Sequence, residues 1–136
     1  MTEKEFDLEI VTPKRVVYSA KVESFSAPGI VGGFQVLFNH APFLSILKVG
    51  EAKVVDAEGK TTRYATSGGF VEVRTNKVVM LAETAERSDE IDVDRARASE
   101  SRAQKRLAEK PDDVDIERAR VSLLRAVNRL KVSGAQ

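Results

Sequence analysis

The chain reads as an α+β protein in two parts: an N-terminal antiparallel β-sandwich followed by a C-terminal antiparallel two-helix hairpin. Three observations carry this reading. Up to about residue 82, apolar and polar side chains alternate in short runs, with turn residues between them and no helical period. Beyond Gly69 there is no glycine until Gly134, and charge and alanine dominate. From Ile116 to Leu130, apolar residues recur at three- and four-residue steps. The change of character falls in Glu86–Arg97 (ERSDEIDVDRAR), which reads as both hinge and binding element. The parts are residues 1–86 and 87–136.

Phe6–Val11 alternates apolar and acidic residues, as a half-buried strand does. Pro13 interrupts it, because proline lacks an amide donor and fixes φ. Val16–Tyr18 and Val22–Ser26 read as extended segments, closed by the turn at Pro28-Gly29. Gly32–Phe38 starts flexibly and turns apolar. Asn39–Pro42 breaks it, and Phe43–Gly50 follows. Ala52–Asp56 and Thr61–Thr66 flank the hairpin loop Ala57–Lys60. Ser67-Gly68-Gly69 marks a bend or bulge. Phe70–Arg74 and Lys77–Ala82 flank Thr75-Asn76, a two-residue hairpin loop. Short strands at this spacing predict a sandwich or small barrel.

Asp92 is a suitable N-cap, and Asp94 places a carboxylate in the first turn, so a helix is predicted over residues 92–109. Its apolar stripe is Ala96, Ala103 and Leu107, helped by Ala98 and Ala108, and it is thin. Lys110–Asp113 stops it. A second helix is predicted over 114–132, capped by Asp113 or Asp115 and ended by Ser133-Gly134. Its stripe is Ile116, Ala119, Leu123, Ala126, Val127 and Leu130. The short connection makes the helices antiparallel. One good stripe on one poor stripe gives a hairpin that can come apart.

Composition excludes several chemistries. There is no cysteine, so no disulfide, thiolate nucleophile or Cys-based zinc site, and the lone histidine, His40, excludes a multi-histidine metal site. A net charge of +1, two tyrosines and no tryptophan disfavour nucleic acid. No secretory signal or membrane span is read. The carboxylates Asp89, Glu90, Asp92 and Asp94 are explained by capping. Ser67 lacks the strand–turn–helix setting of a nucleophile elbow. No catalytic set emerges, which disfavours an enzyme on a small sandwich.

The arginines are more informative. Arg125 and Arg129 are four apart on the second helix, and Arg95 and Arg102 are seven apart on the first. In an antiparallel hairpin Arg95 meets Arg125 and Arg129 near the hinge. Converging guanidiniums suit a phosphate chain, since their forks bind its oxygens in pairs. The same residues, with Arg118, Arg120 and Lys131, also suit a solvated basic face or an acidic protein partner.

The runs Val36–Pro42 (VLFNHAP), Ser67–Val73 (SGGFVEV), Ile91–Ala96 (IDVDRA) and Arg125–Leu130 (RAVNRL) resemble the epsilon subunit of the bacterial F-type ATP synthase, in order and across essentially the whole chain. The resemblance implies a ten-stranded β-sandwich and a helical hairpin in a non-catalytic rotor subunit of a proton-translocating enzyme. It implies a peripheral place at the cytoplasmic face of the bacterial cell membrane, with the gamma subunit and the c-ring as partners. It further implies an arm that extends along gamma toward the alpha and beta subunits and inhibits ATP hydrolysis. No cofactor is obligatory; ATP, as a regulatory ligand, favours the folded arm. The ATP-binding residues it implies are Ile91, Asp92, Arg95, Ala96, Arg125 and Arg129, with Glu86 and Arg102 at further matching positions. Phe34, Phe38, His40 and Pro42 belong to the implied rotor-interface loop, Ile30–Phe43. This loop departs from the family, which often has Pro-Gly before the histidine, so its contact is expected to be more apolar. The alternative is a permanent structural clamp whose arginines bind acidic partner residues, with no ATP-controlled switch.

Overall fold

The computed structural model describes residues 4–112 and 115–135. Two compact units divide the chain, the first ending at Arg87 and the second starting at Ser88. The first unit is a β-sandwich and the second a helical hairpin.

The first unit starts with β1 (Phe6–Val11), β2 (Val16–Ala27), β3 (Phe34–Leu37), β4 (Phe43–Leu47) and β5 (Gly50–Asp56). It continues with β6 (Thr61–Thr66), β7 (Gly69–Arg74), β8 (Lys77–Ala82) and β9 (Ala85–Arg87). Hydrogen bonding runs β4-β7-β8-β1-β2-β5-β6-β9, with β3 also on β2. The two segments expected at Val16–Tyr18 and Val22–Ser26 are one strand of 12 residues. Its first half pairs with β1, and its second half lies between β3 and β5. β2 therefore serves two layers, β4-β7-β8-β1-β2 and β3-β2-β5-β6-β9. The described residues hold nine strands where the resemblance implies ten, and counting β2 once per layer reconciles the two. Gly29 bridges to Leu47 and brings the end of β2 to the free edge of β4.

All pairs are antiparallel except β1 with β8, which run parallel. β9 was not expected from the sequence. It pairs with β6 through only three residues, too short a run to show alternation.

The inward residues of both layers form one core, including Leu8, Ile10, Val22, Phe25, Val54, Val71 and Met80. Burying side chains of this size contributes about 1.5–3 kcal/mol each. Tyr18 packs on this core, half-buried. Desolvation, with the Asp56 carboxylate adding to it, holds its phenol above the ordinary tyrosine pKa.

The expected hairpin loops are present. Asp56 Oδ1 accepts from the amides of Glu58 and Lys60, both at 2.9 Å, and Gly59 takes φ 84°. The Thr75-Asn76 loop joins paired Arg74 and Lys77, with Asn76 at φ 56°. The glycines after Ser67 are required by the backbone, Gly68 by its φ of 118° and Gly69 by packing as well. Gly69 has φ 133°, and a Cβ there would run into the Leu81 carbonyl oxygen and lie 2.8 Å from Ala82 Cα.

Gly69→Ala is accordingly expected to lower the unfolding free energy by about 2–5 kcal/mol. Gly59→Ala, at an open left-handed turn, should cost about 1–2 kcal/mol. Urea denaturation of the two variants compares them. Equal losses would show that backbone conformation alone, not the approach to β8, fixes Gly69.

Candidate functional site

The second unit opens with a single 3-10 turn, Ser88–Glu90, which packs on the second helix. Helix α1 is Val93–Glu109 and α2 is Ile116–Ser133. Asp92 caps α1 as expected: its Oδ1 accepts from the Arg95 amide at 3.0 Å. Asp115 caps α2, accepting from the Arg118 amide at 3.1 Å. The other candidate cap, Asp113, and the expected first residue, Val114, lie outside the described residues. Gly134 ends α2 at φ 84°, and Lys110 ends α1 in the same left-handed region at φ 46°. The hairpin is antiparallel: Arg97 Nη2, near the start of α1, donates to the Ala135 carbonyl, just past the end of α2, at 3.4 Å.

The seam is made largely of alanine. Ala96 and Ala103 are the buried residues of α1; Ala119, Ala126, Leu130 and Val132 are those of α2. Leu107 is half-buried. Ala98 and Ala108, expected to help the stripe, are exposed. At about 100° per residue they lie more than about 100° round the helix from Ala96, so only their helix propensity contributes.

The same geometry sorts the arginines. On α1, Arg95, Arg102 and Arg106 stand about 80–120° from buried Ala96, all in one rotational sense. On α2, Arg118, Arg125 and Arg129 stand about 60–100° from buried Ala126, in the same sense. In facing antiparallel helices, equal sense means the same side of the pair. The six guanidinium-bearing residues therefore flank one groove. Arg120 and Lys131 lie on the opposite side, so the basic face expected on α2 is split in two. Arg120 pairs there with Glu117 at 3.5 Å.

Counting along each helix from its end at the connection, Glu109 and Ile116, Arg95 stands level with Arg129 and Arg102 near Arg125. Arg102 Nη2 donates to Ser99 Oγ on the same flank at 3.1 Å. Arg125 and Arg129 both have interaction partners in the folded chain. The expected ATP residues thus separate by what they touch. Ile91 and Ala96 are buried, and Asp92 is occupied by its cap. Glu86 belongs to the first unit, on β9, opposite Ala65 of β6.

In the first unit, the Leu37–His40 turn is closed by the His40 amide on the Leu37 carbonyl at 3.2 Å. Asn39 adopts φ 66°, a conformation asparagine tolerates where glycine is otherwise preferred. Phe34 packs edge-on against Phe43 at 5.2 Å between centroids, and His40 lies 5.1 Å from the same ring. Phe34 is therefore a support of the loop, while His40 and Pro42 are exposed.

A second surface escapes sequence reading. Ile30, Ile46, Phe70, Leu81, Val11 and Val16 are successive cross-strand neighbours. They form an outward-facing apolar row roughly 24 Å long. Ile30 and Ile46 are 62% and 60% exposed, so the row is not core. Val11, Pro13, Phe70 and Leu81 also line an open depression of about 470 Å³. Five strands contribute one residue each and Ile30 follows β2, so only strand pairing reveals the row.

Residues 5–88 match the family described as ATP synthase, Delta/Epsilon chain, beta-sandwich domain, and residues 89–134 match its long alpha-helix domain. The ATP synthase epsilon chain of Nitratidesulfovibrio vulgaris is 51% identical over 105 residues, covering 77% of this chain and 78% of that one. The epsilon chain of Pelotomaculum thermopropionicum is 50% identical over 107 residues, 79% of each chain. This chain belongs to the ATP synthase epsilon chain family. The fold recurs at low identity. A chain of the Euglena gracilis mitochondrial ATP synthase (OSCP/F1/c-ring) superposes with a TM-score of 0.71 at 20% identity, covering 96% of this chain and 78% of that chain. One from the central stalk/c-ring of the Tetrahymena thermophila enzyme gives 0.61 at 16%, covering 98% and 99%.

Because the Asp92 side chain is spent on the backbone of α1, Asp92→Ala should cost the hairpin about 1 kcal/mol. Hydrogen exchange at residues 95–97 would rise about fivefold. Unchanged exchange there would mean that the cap does not limit opening of α1.

Proposed function

We propose that this chain is a non-catalytic central-stalk subunit of a proton-translocating F-type ATP synthase, peripheral to the membrane, on its cytoplasmic face. Family membership supports this, together with relatives that stand in F1/c-ring and central-stalk assemblies. No described helix is long and apolar enough to cross a membrane. In this reading the β-sandwich couples rotor parts. The apolar row and the exposed Pro42 and His40 are the surfaces that meet gamma and the c-ring. An apolar face this continuous is more than a monomer needs to expose.

The helical unit is the regulatory arm. The observation that carries this reading is the one-sided placement of Arg95, Arg102, Arg125 and Arg129 beside an alanine seam. Alanine buries little area, so the seam alone holds the hairpin weakly. Like charges along one groove repel each other, and a bound triphosphate would reverse that repulsion. ATP at these arginines therefore favours the folded arm. At about 100-fold over Kd it adds about 2.7 kcal/mol to the folded form. Loss of ATP frees the arm to extend toward alpha and beta and inhibit hydrolysis. Ile91, Asp92 and Ala96 act here by shaping the start of α1.

Calorimetric titration of ATP into the full chain tests the switch. Binding that Arg125→Ala or Arg129→Ala weakens by about tenfold or more is expected, since each removes charge-assisted hydrogen bonds. No heat at millimolar ATP would favour the permanent clamp, with the arginines facing acidic partner residues.

The docking surface is tested by Ile46→Glu. The variant should fold with near-normal stability, because Ile46 is exposed, yet fail to co-purify with the other rotor subunits. Undiminished co-purification would remove the apolar row from the interface.

A further inference from the structure

The arginine groove continues beyond the residues that the nucleotide reading uses. Arg106 and Arg118 lie on the same side, level with each other near the tip. This side therefore carries three arginines from each helix at matching levels, Arg95 with Arg129, Arg102 with Arg125, and Arg106 with Arg118. By helix rise they stand roughly 20, 12 and 4 Å from the tip.

The sorting by residue type is as informative as the spacing. On the arginine side the helices carry no lysine and one carboxylate, Glu109; Lys105 and Glu117 stand about 180° from Ala96 and Ala126, directly away from the seam, and Lys131 lies on the opposite side with Arg97. Arg120 is also on that side, paired with Glu117. A solvated basic surface has no need to exclude lysine, whereas paired binding of phosphate oxygens favours the guanidinium fork. Repetition along the groove also calls for a ligand that repeats. A triphosphate spans only part of this length and leaves the pair at the tip uncovered.

We propose that the hairpin groove binds linear phosphate chains longer than a triphosphate, inorganic polyphosphate being the simplest, with Arg106 and Arg118 as an outer subsite. The inference rests on the reading that this side of the hairpin takes phosphate, and extends it to a second ligand class. A long chain engages all three pairs, so it bridges both helices along their length and holds the arm folded independently of the nucleoside.

The test titrates the full chain separately with ATP, tripolyphosphate and long-chain polyphosphate at one ionic strength. Two double variants of equal charge are compared, Arg106→Gln/Arg118→Gln and Arg120→Gln/Lys131→Gln. Long-chain polyphosphate is expected to bind about tenfold tighter than tripolyphosphate, the effect of one more engaged arginine pair. The Arg106/Arg118 double should abolish that advantage and leave ATP binding in place. The Arg120/Lys131 double should leave the advantage intact. Equal loss in both doubles, or equal affinity for long and short chains, overturns the proposal. ATP binding without a chain-length advantage defeats the outer subsite and spares the nucleotide reading. A chain-length advantage without ATP binding does the reverse. The comparison of long and short chains on the unmodified protein stands even where a variant folds poorly.

Discussion

The β unit depends on one strand belonging to two layers. β2 pairs with β1 over its first half and passes between β3 and β5 over its second. Val22 and Phe25, along this strand, are fully buried. A strand of 12 residues is long for a small sandwich and normally leaves much of its ladder exposed. Here both ends are used, and the register shift between Val22 and Ser24 in its pairing with β5 marks where it passes from one layer to the other. β8 lies parallel to β1 in the first of these layers, and Gly29, just past the end of β2, bridges to Leu47. The apolar row crosses β4, β7, β8 and β1, so its straightness depends on the same layer.

The helical unit is built on the opposite economy. Its ends are well specified: both N-caps are satisfied by aspartate, and Gly134 closes α2 through the Leu130 and Lys131 carbonyls. Its middle is not, since most of the buried seam is alanine. Good caps with a weak seam give helices that survive as helices when they separate, because caps act within one helix and the seam acts between two. For the regulatory arm proposed above, that division would let the helices separate without melting. A leucine seam would lock the hairpin, and poor caps would let it unravel.

What the sequence made legible was local. The alternation in Phe6–Val11, the loop at Asp56–Lys60, the Asp92 cap and the Gly134 stop all depend on residues within a few positions of one another, and all stand where the pattern puts them. Non-local features were not legible. Nothing in Val16–Ala27 signals that one strand serves two layers, and β9 is defined only by its pairing with β6. Ala98 and Ala108 were read into the stripe by composition, but their angular positions put them outside it. Arg120 and Lys131 were grouped with Arg118, Arg125 and Arg129 for the same reason. Knowing which residues form the seam corrects both, because a helix face is defined by what it faces. Of the site, the arginines and the capping motif were visible; the apolar row was not, since its six members come from separate segments.

The two surfaces differ in how they hold a partner, and the difference matches what each unit is proposed to do. An apolar row on a rigid sheet is complementary to its partner before contact, so binding orders little and the cost in side-chain entropy is small. That suits the lasting rotor contact proposed for the sheet. Arg102, Arg125 and Arg129 already make contacts in the folded chain, but like charges along one side of the hairpin repel more strongly as the helices close. In the proposed switch a bound anion offsets that repulsion, so closure would follow ligand concentration. In the proposed reading, lasting docking falls to the sheet and conditional closure to the helices, so the two do not compete for the same residues.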